Sequence, residues 1–250
     1  MGGSVQLEKN KRIGKIKFFH PKGNSLPSNL LYKLVQAFEK SEKDPDIKVI
    51  VLESKGNCFC AGASLKELER LKNIDDTTSF FMGFADLLNT IRKMSKFVLA
   101  KVHGKVVGGG VGLVAACDYA FATNAALIKL SELSIGLGPY VIEPAVSRKI
   151  GTTAFTQLSL DSAEWKSAQW GLENGLYAKC VTNKKALDQT VINNAERLSN
   201  YDQQSLIHLR KLHWKDTNNW ESLLPENAKI TAKLALSDFT QNKIKLLLNE

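Results

Sequence analysis

A chain of 250 residues with 44% hydrophobic and 24% charged side chains has the composition of a soluble globular protein, enough for one large domain or a domain with a helical appendage. Its formal charge of +9 favours an anionic partner: nucleic acid, a membrane surface or a phosphate-bearing small molecule. The basic residues are spread out, however, with no run of five or more.

No apolar run approaches the roughly 20 residues of a membrane span. The opening MGGSVQLEKNKR has neither the apolar stretch of a secretory signal nor a myristoylation pattern, so a cytoplasmic location is expected. Cys58, Cys60, Cys117 and Cys180 make no CxxC pair or disulfide framework, and the four histidines are scattered. Reduced thiols and no metal site follow as expectations.

In chain order, RIGKIKFF (12–19) reads as a strand and HPKGNSLP (20–27) as a turn. Residues 28–43 place Leu31, Leu34, Val35 and Phe38 on one helical face, and KVIVLES (48–54) reads as a buried strand. Next, KGNCFCAGASLKELERL passes from loop into helix, with Ser64 as N-cap and Glu67 three residues on, the pattern of a capping box. A helix over 77–95, a strand at 97–102, a glycine turn, and a short helix ending at Cys117 come next. DYAFAT and ALIKL are further strands. Beyond 143 the chain turns mostly helical, with segments at 143–160, 163–171, 184–199, 203–214 and a long amphipathic 226–248, and one strand near 176–181. This is an α/β core with a helical C-terminal region, divided at 1–195 and 196–250.

Two loops of small residues, CAGA (60–63) and GGG (108–110), each follow a strand and precede a helix. Backbone N–H groups at such junctions lack intrahelical partners, and small side chains let a ligand approach them. Two N–H groups converging on one oxygen would make an oxyanion hole. Tight turns with close helix–strand packing would account for the same residues. Glu132 lies among Leu130, Leu133 and Ile135, a setting that would raise its pKa by desolvation and suit it to proton abstraction beside a carbonyl. A solvent-facing glutamate in a turn is the plainer alternative.

NCFCAGASLKEL, VHGKVVGGGVGLVAACDYAFAT and SELSIGLGPY together resemble the crotonase family, the enoyl-CoA hydratases and isomerases. The resemblance runs from NSLP to the C-terminal helices. It implies a crotonase-like spiral of ββα units with a helical C-terminal region that trimerises, as trimers or dimers of trimers. It also implies an acyl-CoA thioester as substrate, with coenzyme A part of that substrate and no separate cofactor. Carried over by position, the oxyanion hole is formed by the amides of Ala63 and Gly109, and a side chain at 109 would obstruct the thioester carbonyl. Ala61, Gly108, Gly112 and Tyr140 fall among the substrate-contacting positions. Lys66 matches a lysine near the nucleotide of coenzyme A, and Phe239 and Lys243 are the C-terminal candidates for the same end. Ser64 stands where the family usually begins that helix with Asp.

The catalytic pair departs from the family pattern. Two-glutamate hydratases carry one Glu two residues after GGG and a second twenty later; here those places hold Gly112 and Glu132. Hydration uses two carboxylates, whereas moving a double bond from C3 to C2 needs one base to take a proton from C2 and return it to C4. The aromatic in GPY also resembles the mitochondrial-type isomerases that rely on a single glutamate. Double-bond isomerisation is therefore the expected reaction. A hydratase using Glu143 or Tyr140 is the nearest alternative, and a non-catalytic acyl-CoA binder a more distant one. Nucleic-acid binding has only the charge in its favour.

Overall fold

The computed structural model describes residues 2–249. The chain runs β1 (Ser4–Asn10), β2 (Ile13–Phe19), α1 (Ser28–Lys43), β3 (Val49–Ser54), β4 (Cys58–Cys60), α2 (Leu65–Leu68) and α3 (Ile74–Lys93). It continues with β5 (Phe97–Val102), β6 (Lys105–Val107), α4 (Gly109–Ala116), β7 (Tyr119–Thr123), β8 (Leu127–Lys129), a 3-10 turn at Leu133–Ile135 and α5 (Glu143–Leu160). The remainder is β9 (Lys166–Ser167), α6 (Ala168–Glu173), β10 (Lys179–Val181), α7 (Lys184–Ser199), α8 (Gln203–His213), α9 (Trp220–Ala235) and α10 (Asp238–Asn249).

The large sheet has the order β1-β2-β3-β5-β7-β10, and the small one β4-β6-β8-β9. All pairings are parallel except β1 with β2 and β8 with β9. Strands β3, β5 and β7 of the large sheet each lead into a strand of the small one and then a helix: β3–β4–α2, β5–β6–α4, and β7–β8 into the 3-10 turn and α5. This repetition is the expected spiral of ββα units. It stacks the carboxyl ends of β4, β6 and β8 side by side, so the three loops singled out in the sequence meet at one edge.

Strand alternation separates the two faces of the large sheet. Ile13, Val49, Val51, Leu99 and Phe121 pack under α7 through Leu187, Val191 and Ala195. Ile16, Phe18, Ile50, Leu52, Val98 and Ala100 face the main core, which also holds α1, α3 and the small sheet. Trp214, Trp220, Leu224, Ala228, Ala232 and Ile244 join that same core, so α9 and α10 are packed into it.

β4 and β6, read as loop and glycine turn, are short strands of the small sheet, and three further segments differ from the sequence reading. β1 is absent from it because its exposed, polar alternation resembles a charged tail; the strand joins β2 through a turn with Lys11 at φ 51°. Residues 163–171 divide into β9 and α6 because Ser167 caps the helix, accepting from the Trp170 N–H at 3.1 Å. The 226–248 stretch is two helices, broken where the Ser237 hydroxyl accepts from the Thr240 N–H and restarts the chain as α10.

Candidate active site

After β4 the chain turns at Gly62 and forms a parallel bridge between Ala63 and Leu26. In it the Leu26 N–H donates to the Gly62 carbonyl at 2.8 Å, and the Ser64 N–H donates to the Leu26 carbonyl at 3.3 Å. The residue between those two bonds directs its own N–H away from the bridge. Among the described residues the Ala63 N–H has no acceptor, and neither has the Gly109 N–H at the first turn of α4. The two loops abut: a Cβ at Gly62 would lie 3.4 Å from the Gly109 nitrogen.

Gly108 holds the second loop in place. Its N–H donates to the Lys129 carbonyl at 2.9 Å, tying β6 to β8, and its φ of 53° with ψ −123° is a conformation that suits glycine. A Cβ there would stand 2.8 Å from Glu132 Oε1. The carboxylate of Glu132 therefore seats directly on the glycine turn.

Glu132 as a residue is half-buried, but its Oε2 is shut off from water and has no hydrogen-bond partner among the described residues. Burial pushes the carboxyl up to about 7. A base with that value is half-ionised near neutral pH and retains strong proton affinity, the balance that general-base catalysis favours. By contrast, burial drives the Cys60 thiol beside the first loop up to about 12, leaving it a protonated packing group.

A cavity of about 320 Å³ opens in front of these groups, with Ala61, Ala63, Gly108, Gly109 and Glu132 in its wall. Phe81, Phe84, Leu137, Val141, Ile142 and Leu247 supply an apolar lining. Among the described residues, Glu132 is the one carboxylate in the wall. A larger groove of about 750 Å³ between α1 and α3 contains none of the loop residues.

Other expected residues lie elsewhere. Gly112 is buried behind the wall, where its Cβ would meet Ile142 Cγ2 at 2.4 Å; Ile142 fills that space and presents itself to the cavity. Glycine at 109 also has a packing reason beside the expected one: a Cβ would strike Phe84 Cε1 at 2.4 Å. Tyr140 is 39% exposed, folds against Gly138 and stays out of the wall, as does Glu143 at the start of α5. Lys66 is exposed on α2. Phe239 packs on Gly136, with the Lys243 ammonium 5.8 Å from its ring, so both lie on the rim where α10 meets α2 and the 3-10 turn.

Sequence reasoning did not assign Phe81, Phe84, Lys129, Ile142, Trp165 or Leu247 to the cavity. The two phenylalanines carried only a helical-face signal. The others reach the site through tertiary packing that no local pattern encodes.

A family model described as enoyl-CoA hydratase/isomerase matches residues 8–248. The mitochondrial enoyl-CoA hydratase of Pongo abelii is 30% identical, covering 95% of this chain and 80% of that protein. The mitochondrial Delta(3,5)-Delta(2,4)-dienoyl-CoA isomerase of Mus musculus is 29% identical, covering 74% and 60%. The crystal structure of an enoyl-CoA hydratase from Mycobacterium avium superposes with a TM-score of 0.87 at 24% identity, covering 98% of this chain and 96% of that one. One from Bacillus halodurans reaches 0.89 at 20% identity, covering 97% and 99%, a likeness of fold alone. The match runs along nearly the whole chain, and the protein belongs to the enoyl-CoA hydratase/isomerase family.

Proposed function

We propose that this enzyme isomerises the double bond of an enoyl-CoA thioester from C3 to C2, with Glu132 as its single base. The carrying observation is that Glu132 is, among the described residues, the one carboxylate of the cavity wall, while Ile142 occupies the volume into which a side chain at 112 would extend. The thioester oxygen accepts hydrogen bonds from the Ala63 and Gly109 N–H groups. Glu132 then removes a proton from C2. The electron pair spreads over C2–C4 and the thioester oxygen, which the two N–H groups stabilise. Reprotonation at C4 by the same carboxyl leaves the C2–C3 double bond and restores the base.

Proton transfer between two carbons on one face suits a lone carboxyl in an apolar cavity. Hydration requires, in addition, a group to position and deprotonate water, and neither Glu143 nor Tyr140 reaches the wall. The relatives' names include enoyl-CoA hydratases and a dienoyl-CoA isomerase, so support for this reading comes from the site. Incubation with matched 2-enoyl- and 3-enoyl-CoA thioesters tests it. The expected outcome is conversion of the 3-enoyl compound, with hydration of the 2-enoyl compound slower. Efficient hydration of crotonyl-CoA with 3-enoyl-CoA untouched would overturn the one-base reading.

A further inference from the structure

The cavity has a second polar end that the isomerisation does not use. On the small sheet, Val107 and Lys129 are register partners, and both line the cavity with Trp165, which directly precedes β9. The Lys129 ammonium sits 5.4 Å from the Trp165 ring centroid, and that of Lys105 sits 5.0 Å from it. Two cations thus converge on one indole that is itself 41% exposed. Cation–π attraction at an exposed ring offers each only about 0.5–1 kcal/mol, and the two charges repel.

Neither ammonium has an ion-pair partner among the described residues. The carboxylates flanking Trp165 in sequence, Asp161 and Glu164, are already held by Lys166 at 2.6 and 3.3 Å. The one hydrogen bond of the Lys129 ammonium goes to the Ala163 carbonyl at 2.9 Å, which leaves further donors free. Glu132, in the same cavity, is out of ion-pairing reach.

Resting on the acyl-thioester reading above, we propose that Lys129 and Lys105, over Trp165, bind a carboxylate at the far end of the acyl group, so that the substrates are mono-thioesters of unsaturated dicarboxylic acids. Distance separates this from a phosphate of the coenzyme. The Gly108 N–H donates to the Lys129 carbonyl at 2.9 Å, so Lys129 sits beside the Gly109 end of the cavity. Its ammonium can reach a group a few carbons from the thioester carbonyl. The diphosphate of coenzyme A lies a full pantetheine arm away. The rim that carries Lys66, Phe239 and Lys243 is built by α2 and α10, not by the small sheet.

Calorimetric titration with two saturated thioesters of equal length, hexanoyl-CoA and its carboxylate-ended counterpart adipoyl-CoA, tests this without any turnover. Adipoyl-CoA should bind about tenfold tighter, as charge-assisted hydrogen bonds predict. Lys129→Met and Lys105→Met should each bring the ratio towards one, and Lys129→Arg should keep most of it. Equal affinities in the unmodified protein, or equal weakening of both thioesters by the methionine variants, would overturn the proposal; the latter would assign the lysines to the coenzyme. If neither thioester binds, the acyl-thioester reading itself fails. Tight hexanoyl-CoA binding without a carboxylate preference leaves that reading standing and removes this one alone.

Discussion

The carboxyl of Glu132 joins catalysis to stability. Its value of about 7 comes from burial, so isomerisation should climb about tenfold per pH unit towards neutrality and level off above it. Glu132→Gln should lower the rate by about 10²-fold or more and flatten that profile. The same shift acts on folding with a definite sign. Between pH 4.5 and about 7 the folded protein holds a proton that the unfolded chain has released, so stability falls across that window and stays lower above it. Glu132→Gln removes the fall. Denaturation at pH 4.5 and pH 8 should therefore show the variant gaining on the parent by up to about 3 kcal/mol at the higher pH. An equal difference at both values would contradict the buried carboxylate. At Gly112, installing Glu alone collides with Ile142. The paired change Gly112→Glu, Ile142→Gly opens that volume and should raise hydration relative to isomerisation, measured on the same two enoyl-CoA substrates.

At the scale of the element, the features legible in the sequence were those that depend on local chemistry. Ser64 caps α2 as its spacing suggests, accepting from the Glu67 N–H at 3.3 Å. The reciprocal half of the box was not legible. The Glu67 carboxylate instead reaches across to the start of α1, accepting from the Ser28 N–H at 3.0 Å and from its hydroxyl, because Pro27 at the N-cap offers α1 no side-chain acceptor. Glu67→Ala should therefore destabilise the protein by about 1 kcal/mol, through α1 as much as α2. Hydrogen exchange should show faster opening at residues 28–31. The glycine loop at 108–110 and Glu132 stand out locally in the sequence, though their roles come from the family resemblance, whereas Ile142, Trp165 and Lys129 lie on elements far apart in the chain. Their meeting is fixed by sheet register and helix packing, which one sequence does not spell out. The amphipathic period over 226–248 was real, yet Ser237 and Asp238 turned one stripe into two helices.

Across the whole molecule, Arg210 on α8 ties that helix to Asp118, just before β7, and to the end of α3. Its guanidinium, 2% exposed, pairs with Asp118 at 2.9 Å and donates to the Ile91, Arg92 and Met94 carbonyls. Asp118 also accepts from the Trp214 indole at 2.7 Å and from the Val98 N–H at 2.8 Å. Arg210→Met strands a buried carboxylate and three carbonyls, so it should cost about 3–5 kcal/mol in chemical denaturation. α10 packs against α9, α2 and the 3-10 turn. Leu247 lines the cavity, while Leu246 at 61% exposure and Phe239 at 59% stand outward. Apolar area left in water is a driving force of about 25 cal/mol per Å², and cyclic self-association is the usual means of burying such a helix face. We propose that the expected trimer, or dimer of trimers, forms through this region. Light scattering should give three or six times the chain mass of 27.6 kDa. Leu246→Asp should lower that mass at micromolar concentration, and a unit mass for the unmodified protein would refute the assembly.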